Sequence, residues 1–329
     1  MNGQLTAEVV ARAASLAGRA PSLHNTHPWQ WVFDGRVLQL HAVPERMLPV
    51  ADGAGRQLLL SCGIVLHHMR SALAVLGWRT SVRRLPAPAR PGHLADLEWE
   101  PTGMVTEAEY ARAAAISRRY TDRLPYEAPV SWDEFVPSLR AGFAPDDAVL
   151  DIVPSKCGPA LRRISGLATG LQRYDSRYHA ELYWWTGHVV QAAGIPRTAL
   201  VSAAEREQVA VGRHMPAGGT AVRRAETVDR ARILAVSSES DRPQDVLRAG
   251  EVLSAVLLDC TAAGYATCTL THMTEFAPSR AELRTLLGGR VLPQALIRVG
   301  TRPVGAQTPP PRPRLPRSEI LEAVPSAVR

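Results

Sequence analysis

Ala20-Pro21-Ser22-Leu23-His24-Asn25-Thr26-His27-Pro28-Trp29 is the stretch around which this 329-residue chain is organised. A helical pattern precedes it and a strand pattern follows. It therefore reads as a connecting loop, stiffened by two prolines and anchored by Trp29. Asn25 stands out within it, because Asn2 is the only other asparagine in the chain.

Upstream, Thr6 is placed to cap a helix with apolar positions Val9, Val10, Ala13, Leu16 and Ala17, ending near Gly18. Downstream, residues 30–33, Asp34-Gly35 and residues 36–43 read as a β-hairpin with a primed turn. Residues 58–76 form a long apolar helix closed by Gly77, followed by strands over 78–85 and 94–100. Thr106 opens another helix, which runs to Arg118 and into Arg119-Tyr120-Thr121-Asp122-Arg123. Ser131 is placed to cap residues 132–140, residues 148–153 read as a strand and residues 161–183 as one helix. From 184 to 224 the periodicity disappears. A strand over 232–237, a helix over 246–263 ending at Gly264, a strand over 293–300 and a Pro-rich basic tail over 303–317 complete the chain.

Composition narrows the function classes. The apolar fraction of 46% and charged fraction of 21% are those of a globular protein able to bury a large core. A net charge of +7 would suit nucleic acid, but Lys156 is the only lysine and the arginines are scattered. With 5% aromatics, no basic face with stacking rings is expected. Anionic small ligands are the better use of local arginine clusters. Cys62, Cys157, Cys260 and Cys268 show no C-x-x-C or His-rich metal spacing and read as free thiols, three of them in apolar runs. No export pattern opens the sequence, and the apolar run over 58–78 is broken by His67, His68 and Arg70. A buried core helix and a cytoplasmic protein without membrane contact are the expectation.

Two segments match in kind and spacing. Gly63 to Gly77 is an apolar helix followed by Trp78, and Gly250 to Gly264 has the same span and is followed by Tyr265; Val65-Leu66 and Val252-Leu253 hold equivalent places. Each helix follows a strand and a loop bearing Asp and Arg. This order suggests an internal duplication, giving two α+β halves that mimic a two-fold dimer within one chain.

Two further clusters carry chemistry. Arg119-x-Thr121-x-Arg123 gathers two guanidiniums and a hydroxyl, which suits a phosphate and a polar heterocycle edge, or else a solvated run. Arg312-Pro313-Arg314-Leu315-Pro316 is either a disordered linker or an extended arm whose arginines project to roughly opposite sides. No G-x-G-x-x-G, Walker A, H-E-x-x-H or G-x-S-x-G is present.

Taken together, these residues resemble the nitroreductase superfamily. The loop with Pro21, Ser22, Asn25, Pro28 and Trp29 is similar to that family's A-P-S-x-x-N-x-Q-P-W loop, with His27 in place of glutamine. Residues 119–123 resemble its R-x-S-x-R motif, and residues 312–316 its C-terminal basic-Leu-Pro motif. The likeness is closest to the actinobacterial Acg-type branch, in which two nitroreductase units are fused. It implies an α+β, nitroreductase-like fold, internally duplicated to a pseudo-dimer, with mixed and antiparallel sheets flanked by helices. The halves would be residues 1–104, carrying the PSLHN loop, and residues 105–329, carrying RRYTDR and the C-terminal arm, with a lid-like insertion at about 184–225. The first half has the loop but no preceding arginine motif. The second has the arginine motif, but Ala141-Gly142-Phe143-Ala144-Pro145-Asp146-Asp147 has no P-S-x-x-N. The surviving pieces imply one FMN per chain, between the halves of a monomer.

By the same resemblance Arg119, Thr121 and Arg314, with Arg312, hold the FMN phosphate, and Arg123 faces the N1/O2 edge of the ring, where a cation favours the reduced flavin. Pro21, Ser22 and Asn25 line the ring. Thr271 and His272 sit where a backbone N–H approaches flavin N5. His27 is either an altered polar contact or a structural histidine. Trp184, Trp185 and Met215 are lid candidates, against the plainer reading of 184–224 as a surface excursion. Two functions follow: an oxidoreductase passing hydride from NAD(P)H through FMN to a nitroaromatic, quinone or enone by a ping-pong route, or a protein that sequesters flavin beneath a lid with little turnover.

Overall fold

The computed structural model describes residues 5–187, 193–218, 223–224, 227–306 and 312–323. In chain order its main elements are α1 (Ala7–Ala17), β1 (Trp29–Phe33), β2 (Leu38–Ala42), α2 (Arg56–Val75), β3 (Trp78–Arg84), β4 (His93–Pro101), α3 (Glu107–Arg118), α4 (Trp132–Arg140) and β5 (Val149–Val153). There follow α5 (Gly158–Arg173), α6 (Ser176–Gly187), α7 (Ala203–Gln208), β6 (Arg232–Ser238), α8 (Pro243–Ala262), β7 (Ala266–Leu270), α9 (His272–Glu275), α10 (Ala277–Leu286), β8 (Leu292–Gly300), α11 (Arg317–Ile320) and β9 (Leu321–Ala323).

The helix ends follow local chemistry. The Thr6 side chain accepts from Val9 N–H at the start of α1, and Thr106 with Glu109 forms a reciprocal capping box at α3. Gly77 and Gly264, just beyond α2 and α8, both adopt φ of 87°, a left-handed turn that only glycine makes without strain. Ser131 departs from expectation: it sits at φ 50° and makes no side-chain cap to α4. The helix expected over 161–183 is two helices. Asp175 interrupts it, its carboxylate accepting from Arg177 N–H at 2.9 Å and Tyr178 N–H at 3.0 Å to start α6 afresh.

The strands form two sheets, ordered β3-β4-β2-β1-β9 and β5-β6-β8-β7. The pairings are antiparallel except for β9, which runs parallel to β1. In each sheet the strand after the long helix lies at one edge. Beside it come, in turn, the last strand of the set, the strand before the helix, and the strand before that. Helix α2 packs on β2 and β3, α8 packs on β6, β7 and β8, and the two helices pack on each other between the sheets.

The crossing of α2 and α8 is made by glycine. A Cβ on Gly63 would stand 2.1 Å from Leu247 O and 2.9 Å from Gly250 Cα; one on Gly250 would stand 2.3 Å from Leu60 O and 2.9 Å from Gly63 Cα. The backbones therefore touch, with reciprocal contacts. Around this point polar groups link the helices. His67 Nδ1 and His68 Nδ1 each lie 2.8 Å from Ser254 Oγ, and Glu251 accepts from Arg70 at 3.0 Å and Arg84 at 2.7 Å. Helix α2 has the length and apolarity of a membrane span, but it is mostly buried inside the molecule and serves as its core.

After β8 the C-terminal arm leaves the second sheet and crosses to the first, where β9 pairs Leu321 with Trp31. Gly63→Ala should destabilise the chain by about 2–3 kcal/mol, because neither backbone can withdraw. Gly103→Ala, exposed and with open space at its Cβ, should stay within about 0.5 kcal/mol. Chemical denaturation checks both; equal midpoints would show that the helices part freely.

Candidate functional site

The loop over 20–29 is held in an uncommon conformation. His24, Asn25 and His27 have φ of 48°, 63° and 50°, a region that L-residues seldom occupy. Ser22 fixes the turn, its hydroxyl accepting from His27 N–H at 2.9 Å. Asn25 ties the loop to the C-terminal arm: its amide donates to Pro313 O at 3.2 Å and accepts from Arg314 at 2.5 Å, while Arg314 also donates to Arg19 O at 3.0 Å. His27 is buried against the edge of the Trp29 ring and does not border the cavity described next.

Residues 119–123 are laid along the free edge of β7. Thr121 bridges Thr267 in parallel, and Asp122 N–H donates to Thr267 O at 2.9 Å. Extended backbone sends alternate side chains to opposite sides. Arg119, Thr121 and Arg123 thus face one cavity, whereas Asp122 faces away and pairs with Arg224 at 2.7 Å. Arg312 donates to Thr121 O at 2.7 Å. The two arginines of the arm reach different walls, Arg312 at Thr121 and Arg314 at Asn25 and Arg19, and both border the cavity.

The loop, residues 119–123 and the arm border one cavity. Pro21, Ser22, Asn25, Arg119, Thr121, Arg123, Thr271, Arg312, Arg314 and Met215 of the anticipated residues all border it. His272 does not: its fully buried ring meets Ser165 Oγ at 2.8 Å on α5. Trp184 does not either, being 54% exposed. Trp185 acts from behind. It packs on a small core with Tyr178, Leu182, Ile195, Leu200 and Met215, and its carbonyl accepts from Ile195 N–H at 2.7 Å. That core backs a roof formed by Ile195, Val201, Val209 and Met215. The other residues of the anticipated lid, 188–192, 219–222 and 225, lie outside the described residues.

Sequence reasoning missed several lining groups. Gln57, Leu60, Ser61 and Ile64 present one face of α2, a helical spacing visible in hindsight. Arg213 anchors the roof by donating to Tyr178 OH at 2.7 Å, to Thr271 Oγ1 at 3.0 Å and to the Glu275 carboxylate. It lies where the sequence shows no periodicity, so nothing flagged it.

Among the described residues, the lining includes seven arginines and no carboxylate. Two of the seven are compensated from outside the cavity. Burial works against the charge on Arg213 and Arg298, but Glu275 with Tyr178, and Tyr126 with Asp229, outweigh it and raise both. Among the described residues, Arg119, Arg312 and Arg314 have no such partner. Burial and Arg19 lower Arg119 to about 10; burial, Arg119 and Arg19 lower Arg314 to about 9. Burial together with Arg123, Arg119 and Arg314 pushes Arg312 well below the ordinary arginine value. Arg119 Nε and Arg314 Nε are buried without acceptors. Such a cluster is suited to an anion with several oxygens.

No protein-family model matches the chain. Among curated sequences it is 44% identical over 318 residues to a Mycobacterium tuberculosis protein provisionally named NAD(P)H nitroreductase acg, covering 96% of each. It is 36% identical over 329 residues to Rv3131 of the same species, named in the same terms, covering 96% of this chain and 92% of the relative. Rv3127, uncharacterised, is 44% identical over 319 residues, with 95% and 93% covered. Among solved structures, the FMN and NADPH-dependent nitroreductase NfnB from a Sphingopyxis strain (17% identical, TM-score 0.42) covers 64% of this chain and 97% of its own. NfnB from Mycobacterium smegmatis, solved with NADPH, is likewise 17% identical, with a TM-score of 0.39, 64% and 96% covered. Both structures are too distant to bear on the site.

Below pH 10 the folded chain holds Arg119 charged at a cost, because its folded value lies under the unfolded one. Without added anions, Arg119→Met should therefore leave stability unchanged or raise it by about 1–2 kcal/mol. Inorganic pyrophosphate should raise the melting temperature of the wild-type chain but not of Arg119→Met combined with Arg314→Met. Equal pyrophosphate shifts in the two proteins would remove the anion site.

Proposed function

The chain belongs to the nitroreductase superfamily, and from that premise we propose that it is an FMN flavoprotein which takes one flavin per chain. The observation that carries this reading is the cluster of Arg119, Arg312 and Arg314, without carboxylates among the described residues, which with Thr121 borders the same cavity as the 20–29 loop. Arg119 Nε and Arg314 Nε, buried without acceptors, fit the oxygens of a phosphate monoester. Arg123 would present fixed positive charge to the ring, and Pro21, Ser22, Asn25 and Thr271 would border it. When bound, FMN would supply hydride chemistry between NAD(P)H and an acceptor such as a nitroaromatic, quinone or enone.

We further infer that the chain is an internal pseudo-dimer, with halves near residues 1–104 and 105–329. The matching strand order of the two sheets supports this, as do the reciprocal contacts Gly63–Leu247 and Gly250–Leu60. It explains why one site per chain is expected. On the other side of the α2–α8 pair lies a second depression lined by His67, Arg70, Arg112, Asp147 and Glu251. There most of the charges are paired: Glu251 with Arg70 and Arg84, and Arg112 with Asp259 at 2.7 and 2.9 Å. With both halves in one chain, a monomer suffices.

A second reading, sequestration with little turnover, is favoured by the roof. Ile195, Val201, Val209 and Met215 cover the cavity, and Arg213 pins the segment to Glu275, 1% exposed in its side chain. A nicotinamide needs the space that these side chains border.

Reconstituted protein should contain one FMN per chain, and Arg119→Ala with Arg314→Ala should lose it on gel filtration. Two flavins per chain would overturn the single site, and none would overturn the flavin reading. NADPH added anaerobically should bleach the bound flavin if the chain is a reductase. A flavin that stays oxidised would leave sequestration standing.

A further inference from the structure

Building on the flavin reading above, we propose that His24 is the residue of the 20–29 loop that addresses the reducible substrate, donating an imidazole N–H to an oxygen acceptor such as a nitro or quinone oxygen. His24 borders the cavity, is 5% exposed, and neither of its ring nitrogens has a partner among the described residues. Leaving a buried polar group unpaired costs about 1–3 kcal/mol. An imidazole so placed against a cavity points to a ligand atom.

Its neighbour shows the contrast. Asn25 commits its amide to the arm, donating to Pro313 O and accepting from Arg314. Two successive left-handed residues turn the loop so that Asn25 serves architecture while His24 is left to the cavity. The asparagine is what draws the eye in the sequence; the uncommitted polar group stands one residue earlier.

The neighbours of His24 place it beside the roof: Leu23 packs on the core of Tyr178, Leu182, Ile195 and Met215, and Asn25 O accepts from Gly194 N–H at 3.3 Å. The charged groups acting on His24 are Arg213 and Arg123. Arg213 is committed to Tyr178, Thr271 and Glu275, and Arg123 donates to Ala199 O at 3.3 Å. Burial, together with these two guanidiniums, holds the imidazole uncharged, so it offers one donor and one acceptor rather than a cation. The roof beside it is apolar. A planar, uncharged ring with an oxygen at its edge meets both requirements: the ring lies against Ile195, Val201 and Met215, and the oxygen reaches His24.

The test uses the full-length, FMN-reconstituted chain and two probes of similar shape, nitrobenzene and toluene, titrated by calorimetry. Compared with the wild type, His24→Phe should bind nitrobenzene about 3–10-fold more weakly while toluene affinity is kept. His24→Gln, which retains a donor, should restore part of the loss. FMN content should match the wild type in both variants, because neither touches the anion cluster. Equal nitrobenzene affinity in wild type and His24→Phe overturns the proposal. Should His24→Phe not fold, nitrogen-labelled wild-type protein decides: the His24 ring resonances should move with nitrobenzene and not with toluene, and no movement overturns the proposal. That spectrum needs no flavin. A wild-type chain that fails to retain FMN would therefore count against the flavin reading alone.

Discussion

Everything in this fold is referred to one contact, the crossing of α2 and α8 at Gly63 and Gly250. Side chains normally hold packed helices about 8–10 Å apart; here backbone meets backbone. The approach leaves a depression on each side of the helix pair. In one, Arg119, Arg312 and Arg314 have no carboxylate among the described residues; in the other, Arg70 and Arg112 are paired with Glu251 and Asp259. The same scaffold thus yields one place that invites a ligand and one whose charges are mostly paired.

The arginine cluster shows how a site can be kept at a cost to the empty chain. Taking guanidiniums out of water without partners is unfavourable, and their mutual repulsion adds to it. The rest of the structure supplies the compensation. Large apolar cores fill the space between helices and sheets, and the roof has a small core of its own. Arg213 and Arg298, which border the same cavity, show what a neighbouring carboxylate does for a buried arginine. The difference between the two sets, rather than the number of arginines, marks the anion end.

Much of this was legible in the sequence because it is written in local chemistry. Thr6, Thr106, Gly77 and Gly264 mark helix ends whatever surrounds them, and two guanidiniums and a hydroxyl within Arg119-x-Thr121-x-Arg123 already suited a phosphate. What was not legible depends on distant residues. Asp175 breaks a continuous helical pattern by capping α6. Trp184 and Trp185 are adjacent in sequence, yet one is exposed and the other props the roof. His272 turns to Ser165, more than a hundred residues away. Arg213 earns its place only through Glu275, Tyr178 and Thr271, and no window of sequence contains all four.

The C-terminal arm has a kinetic consequence. The hydrogen bonds from Asn25 to Pro313 and from Arg314 to Asn25 join residues 288 and 289 positions apart, nearly the whole length of the chain. Contacts of such sequence separation carry a large loop-closure entropy and form late. The two sheets, built from nearer neighbours, can condense before the arm crosses to add β9. The cavity would then be the last part of the molecule to assemble and the first to open. Hydrogen exchange would see it as a seam, with the loop and the arm releasing together while the paired helices remain closed.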